Sequence, residues 1–273
     1  MRSSDIAVLM PAYNPDPVLL QEVLRSLLSQ SEACDVVIVD DHSRVPISSI
    51  VAEDPRIRVL RLERNLGVTG ARNEGLRYIL AEGYPFIACN DADDVCLPER
   101  FRLQLDRFER DPALDILGGM SPTHDASGAF LFTRGTTGGP AVIRKRVRYN
   151  LPFAHSTFFF RSSVVTRFGD YSEDFPAGED YEFLYRIVAR GGRVDCLPEP
   201  LSTYLLNPAG ITFNNWQRQI RTRLKTQLRY FDPLAPGCYL GVARTLITLM
   251  VPLSIWGPLK RAIRTRVGTR QPT

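Results

Sequence analysis

Apolar positions recur along the first 110 residues in two alternating rhythms. Residues 6–10, 36–39, 58–62 and 86–89 are short apolar runs, three of them nearly continuous, as parallel strands buried on both faces require. Between them, 17–30, 68–82 and 98–110 place apolar residues at helical spacing, as with Leu20, Val23, Leu24, Leu27 and Leu28. Strand and helix in repeated alternation predict an α/β fold: a sheet with helices on both faces. The second half is less regular. Residues 120–150 are rich in Gly, Thr and Arg and carry no clear period. His155-Ser156-Thr157-Phe158-Phe159-Phe160 predicts a strand, Gly178-Glu179-Asp180 opens a helix reaching about 190, and 193–197 predicts a further strand ahead of Tyr204. No repeat or low-complexity linker interrupts the chain. The expected organisation is 1–118, 119–215 and a helical tail 216–273, the first two sharing one sheet.

In such sheets ligands bind beyond the carboxyl ends of the strands, and those ends carry unusual residues. Pro11-Ala12-Tyr13-Asn14 follows the first strand, Asp40-Asp41-His42-Ser43 the second, and Asn90-Asp91-Ala92-Asp93-Asp94 the fourth. Five aspartates on one rim repel each other unless cations or hydrogen-bond donors offset them. Asp91 and Asp93, two apart in an extended segment, project to the same side. Paired hard oxygens suit Mg2+ or Mn2+, ions that keep waters and take further ligands from substrate phosphates; the alternative is that Asp93 or Asp94 caps the helix beginning near Pro98. Glu179 and Asp180 complement the dipole of the helix they open, or supply a general base facing the acidic rim. Residues 65–75 enter a helix through a glycine-containing turn but match neither the dinucleotide fingerprint nor the phosphate loop, while Arg72 near that helix start suits an anion.

Composition narrows the class. The chain has 273 residues, 44% hydrophobic and 23% charged, values of an ordinary folded protein. The net charge of +4 conceals a split, because residues 216–273 hold 11 of the 34 Lys and Arg but only one acid, Asp232. Five cysteines without a C-x-x-C pair indicate neither a zinc site nor a disulfide framework, which suits a reducing cytosol. The run before Pro11 is too short for a signal peptide's apolar core, so export by that route is not expected.

Taken together, Met10-Pro11-Ala12-Tyr13-Asn14, Val39-Asp40-Asp41-His42-Ser43, Asn65-Leu66-Gly67 with Ala71-Arg72-Asn73, Asp91-Ala92-Asp93-Asp94 and Gly178-Glu179-Asp180 resemble the inverting family 2 glycosyltransferases of the GT-A fold, over residues 5–210. The resemblance implies that Pro11, Ala12 and Tyr13 line a nucleotide base, that Asp41 hydrogen-bonds it and that Asp40 supports the loop. It further implies Arg72 near the nucleotide, Asp91 at the ribose, and Asp93, with Asp91, at a Mn2+ or Mg2+ ion on the diphosphate. Asp180 is then the catalytic base, with Glu179 beside it. Two departures stand out. Relatives carry an arginine and a histidine after the tyrosine of the last core strand, where this chain has Tyr204-Leu205-Leu206-Asn207, so a basic diphosphate contact is missing there. The Q-x-x-R-W pattern of processive relatives is not matched by Asn215-Trp216-Gln217-Arg218-Gln219, so addition of one sugar is expected.

His155, flanked by apolar residues, is expected in the core. Residues 245–259 are 15 uncharged residues between Arg244 and the cations Lys260, Arg261, Arg264, Arg266 and Arg270. That is shorter than the ~20 residues a spanning helix needs, and fits a peripheral contact through 245–270 with the anionic inner leaflet; packing of this segment on the body is the other reading. The basic residues are not interleaved with aromatics, so no nucleic acid partner is expected. The expected partners are a nucleotide-sugar donor, UDP-linked first of all, and a glycan acceptor linked to lipid. Transfer to a polyprenyl phosphate and an inactive nucleotide- or sugar-binding module are the competing readings.

Overall fold

The structure, a computed structural model, describes residues 4–125, 127–175, 177–205 and 216–250. Strand β1 (Ile6–Ala12) lies at the centre of the parallel part of the sheet, between β2 (Asp35–Asp40) and β4 (Phe86–Cys89), with β3 (Ile57–Arg61) outside β2. Period-two alternation divides the core: Ala7, Leu9, Val37, Val39 and Ile87 face one layer, and Ile6, Val8, Met10, Val36, Ile38 and Ala88 the other. Helices α1 (Pro17–Leu28) and α3 (Arg100–Arg110) cover the second face through Leu20, Val23, Leu24, Leu27, Phe101 and Phe108. Helix α2 (Gly67–Ala81) covers the first through Ala71, Leu76 and Ile79. The backbone of α2 comes so near the sheet that a Cβ on Gly75 would lie 2.3 Å from Leu9 Cδ1, which explains a glycine within a helix. Asp16 caps α1, its Oδ1 accepting from the Val18 and Leu19 amides at 2.9 and 3.1 Å, with Pro17 at the first helical position.

Beyond β4 the sheet becomes mixed, and both halves of the chain share it as expected. After the two-residue strand β5 (Val95–Cys96) and α3 comes β6 (Ile116–His124), followed by β7 (Phe130–Arg134) and α4 (Pro140–Arg146). Strand β8 (Phe159–Arg161) pairs antiparallel with both β4 and β6, and α5 (Ser163–Phe168) follows it. Helix α6 (Glu179–Ala189) precedes β9 (Val194–Pro200) and β10 (Ser202–Leu205), both parallel to β6; β10 also runs antiparallel to β5. The segment 120–150, read as irregular, thus completes the nine-residue β6 and adds β7 and α4. The strand expected at 155–160 starts later: His155–Thr157 is a 3-10 turn, and pairing begins at Phe159. Helices α7 (Trp216–Arg229) and α8 (Pro236–Met250) form the described part of the tail. Residues 206–215, with Asn207, and 251–273, with the basic run 260–270, lie outside the described residues.

Candidate active site

The ends of β1, β2 and β4 meet where the strand order reverses. The loops after β1 and β2 are tied together: Ser43 Oγ accepts from the Asn14 amide at 2.9 Å, and Asn14 Oδ1 from the Arg44 amide at 2.8 Å. Asn14 and His42 both hold left-handed backbone, φ 45° and 63°, strain of the kind stored at binding rims. Ala12 is buried, Pro11 half-buried, and Tyr13 projects into solvent. Asp40 is wholly buried and accepts from the Ser43 amide at 2.8 Å, the Ile47 amide at 3.1 Å and Arg61 Nη1 at 2.6 Å. Burial alone would raise its pKa, but these bonds outweigh it and hold the carboxyl below the usual range. Asp41 Oδ1 accepts from the Leu66 amide at 2.6 Å, anchoring the entry of α2. Burial pushes its pKa upward against that bond.

From α2, Arg72 reaches across the rim. Its Nη1 donates to Glu179 Oε1 and its Nη2 to Asp91 Oδ1 at 3.1 Å, so this buried guanidinium is committed to two carboxylates from distant segments. Burial works against its charge, and Glu179 followed by Asp91 more than restores it. The guanidinium lies 5.6 Å from the Tyr171 ring centroid. Asn73 fixes the Tyr171 backbone on both sides, at 2.8 and 3.0 Å, and the Tyr171 hydroxyl meets His155 Nε2 at 2.8 Å. His155 is a core residue as expected, its pKa driven well below 6.5 by burial and then by Arg72 and Arg100.

Gly178, at φ 102°, makes the turn that lets Glu179 and Asp180 open α6. Its amide donates to Glu179 Oε2 at 3.0 Å, and the Tyr181 amide to Asp180 Oδ1 at 2.7 Å. Desolvation and the Glu179 charge raise Asp180 to about 6, against the pull of Arg72. Arg223 of α7, 5.9 Å from the Tyr181 ring centroid, bears on the same carboxylate. A carboxylate with a pKa near working pH accepts a proton from a hydroxyl well.

In the acid run Asp91 is half-buried, Asp93 exposed and Asp94 buried. Asp93 is raised to about 6 by restricted hydration and by Asp91. Among the described residues no group of three or more His, Cys, Asp or Glu is gathered to hold a metal ion. Asp91 and Asp93 do offer hard carboxylate oxygens from one loop, a set that suits Mg2+ or Mn2+ completed by water and phosphate. The residues therefore fit an ion that arrives with a diphosphate.

The model of glycosyl transferase family 2 matches residues 7–168, which include both strand-end rims and the acid run. The chain belongs to this family. Among curated relatives, the succinoglycan biosynthesis protein ExoO of Rhizobium meliloti (strain 1021) is 29% identical over 219 residues, covering 74% of this chain and 60% of ExoO. The chain therefore spans less than two thirds of that relative's length. The amylovoran biosynthesis glycosyltransferase AmsE of Erwinia amylovora is 31% identical over 201 residues, 71% of this chain and 74% of AmsE. Among solved structures, S. aureus TarS 1–349 in complex with UDP-GlcNAc superposes with a TM-score of 0.65 at 19% identity, over 88% of this chain and 71% of that one. The GT-A glycosyltransferase fold expected from the motifs is the fold observed.

Three features near the acid run carry no signal in the sequence alone. The Asp94 carboxyl and Ser156 Oγ are buried close together, and burial, then Asp91 and Asp93, keeps Asp94 well above the usual carboxylate range against the Ser156 hydroxyl. Fully buried Arg100 secures the end of β4, donating to Asn90 Oδ1 and the Cys89 carbonyl, each at 2.9 Å. The Arg134 guanidinium carbon lies over Tyr204, 3.8 Å from the ring centroid. An arginine within a helical rhythm, like Arg100, gives no signal of its own, and Arg134 meets Tyr204 only through the sheet.

Proposed function

We propose that the protein is an inverting, nonprocessive glycosyltransferase that moves one sugar from a nucleoside-diphosphate sugar, UDP-linked in the first instance, to a hydroxyl of a lipid-linked glycan in polysaccharide biosynthesis. The observation that carries this reading is the Arg72 bridge, which sets Asp91 of the acid run and Glu179, neighbour of Asp180, on one rim. The names of ExoO and AmsE support the polysaccharide assignment, and the TarS complex supports the donor class. In this reading Pro11, Ala12, Tyr13 and Asp41 receive the base, Asp40 braces their loop and Asp91 meets the ribose. Arg72 lies behind Asp91 near the nucleotide. Asp93 with Asp91 would hold Mn2+ or Mg2+, which when bound supplies positive charge against the diphosphate. Asp180, oriented by the Tyr181 amide and flanked by Glu179, takes the acceptor hydroxyl's proton as that oxygen attacks the anomeric carbon opposite the leaving diphosphate, so configuration inverts.

Residues 1–118 serve as the donor-binding part and 119–215 as the acceptor and base part. The tail from 216 brings the enzyme to the inner face of the membrane through 245–270. No helix among the described residues is long and apolar enough to cross a membrane, and peripheral contact is the mode this reading assigns. The test is the melting temperature of the purified protein with UDP, GDP, dTDP and CDP, with and without Mn2+. A ligand at 100 times its Kd adds about 2.7 kcal/mol of stability. A metal-dependent rise with one nucleotide is expected; no rise with any of them would remove the donor site from the proposal.

A further inference from the structure

Arg134 ends β7 opposite Ser121 of β6. On the other flank of β6 stands β10, where Tyr204 pairs with Thr123, and the guanidinium carbon of Arg134 lies over the Tyr204 ring, 3.8 Å from its centroid. Strand β10 in turn runs antiparallel beside β5, Thr203 opposite Val95, a register that carries Tyr204 level with Asp94, the residue that ends the acid run. The Arg134–Tyr204 pair accordingly stands beside the end of the acid run. Arg134 forms no ion pair among the described residues. Two arginines nearest the acid run are spent: Arg72 on Glu179 and Asp91, Arg100 on Asn90 and the Cys89 carbonyl.

A guanidinium held by an aromatic face keeps its edge N–H donors in a fixed plane and available. The acid run beside it, Asp91 held by Arg72 and Asp93 exposed, repels a polyphosphate unless further cations meet it. We propose that Arg134 grips the diphosphate of the donor and stabilises it as it departs, with Tyr204 as the platform that aims it. The proposal rests on the transferase reading above. In the transfer step the bond from anomeric carbon to diphosphate oxygen breaks as the bond from acceptor oxygen to that carbon forms. The electron pair stays on the diphosphate oxygen, where the Arg134 donors meet the growing charge, and the acceptor proton passes to Asp180.

The experiment is calorimetric titration, with Mn2+, of wild type, Arg134→Gln and Arg134→Lys. The probes are the nucleoside diphosphate giving the largest thermal shift, its monophosphate and its nucleoside. Transfer rates with the matching nucleotide sugar are measured in parallel. Arg134→Gln is expected to melt with wild type, to lose 10- to 100-fold in diphosphate affinity, to keep nucleoside affinity within twofold, and to lose at least as much in kcat; Lys should recover part of both. Diphosphate affinity and kcat within twofold of wild type in Arg134→Gln would overturn the assignment, as would equal losses for diphosphate and nucleoside. Wild type that binds none of the probes would overturn the transferase reading itself, and this assignment with it.

Discussion

Arg72 and Glu179, 107 residues apart in the chain, form a buried ion pair whose arginine also holds Asp91. The pair joins α2 to α6 at the place where donor-side and base-side carboxylates meet. Breaking a buried pair strands the remaining charge at a cost of about 3–5 kcal/mol. Arg72→Met is expected to lose stability on that scale in urea unfolding, whereas Glu179→Gln, which keeps an acceptor, should lose about 1–2 kcal/mol. Equal, near-zero losses would show that the pair bears no weight.

Asp180 sets the second expectation. The groups facing it are Glu179 and Asp91, which raise it, Arg72 and the Tyr181 amide, which lower it, and Arg223 of α7, a cation on the same carboxylate. With a pKa near 6, kcat/KM should fall tenfold per pH unit below that value and level off above it. The stability sign is opposite to that of a paired acid. Because the folded pKa lies above the unfolded one, the destabilising term is absent below pH ~4, grows between pH ~4 and ~6 and is complete above. Asp180→Asn should therefore raise stability at pH 7.5 by about 1–2 kcal/mol while lowering kcat at least 10³-fold. An Asn variant that is inactive and also less stable would contradict this placement of the charge.

Much of this architecture was legible because apolar alternation in 6–89 reports burial on both sheet faces directly. The strand ends announced the rim because acids there directly follow apolar runs, although Asp40 and Asp41 prove to be taken up bracing the loops. The elements between 116 and 146 were hidden by packing from afar. Gly118 and Gly119 break the apolar rhythm of β6, yet their missing side chains are replaced by Phe153 and Leu201, which a Cβ would approach to 2.1 and 2.3 Å. A strand whose volume is filled by residues elsewhere carries no period of its own. The start of β8 was misplaced because His155, Ser156 and Thr157 are buried polar residues: Thr157 Oγ1 folds back to the Ala154 carbonyl at 2.7 Å and His155 turns to Tyr171. Asp94 looks like its neighbours in sequence, and only its burial distinguishes it.

Asp93 provides a third expectation. Its exposed carboxylate is the acid of the run least engaged by the protein, in contrast to Asp91, which Arg72 holds at 3.1 Å. Asp93→Ala removes a carboxyl whose pKa is raised in the folded protein, so the unliganded variant should be no less stable than wild type above pH ~6. It should abolish the Mn2+-dependent part of the nucleotide thermal shift. Retention of that part would move the ion to other residues.

The tail offers the last expectation. Helix α8 buries Cys238, Gly241, Thr245 and Thr248 and turns Tyr239, Leu240, Leu246, Ile247 and Met250 outward, the reverse of a helix that packs by its large apolar face. The inner face needs small residues: a Cβ on Gly241 would stand 2.2 Å from the Arg148 carbonyl. The outer face has no acid, and Arg244 is its exposed cation. Burying each Leu or Ile is worth about 1.5–3 kcal/mol, enough with adjoining cations to hold the helix at an anionic interface. Leu246→Glu with Ile247→Glu should melt with wild type yet lose at least tenfold in cosedimentation with phosphatidylglycerol vesicles, while Gly241→Leu should destabilise the fold. Unchanged cosedimentation of the double variant would sink the membrane contact, and a drop in oligomeric mass instead would give that face to a second copy of the chain.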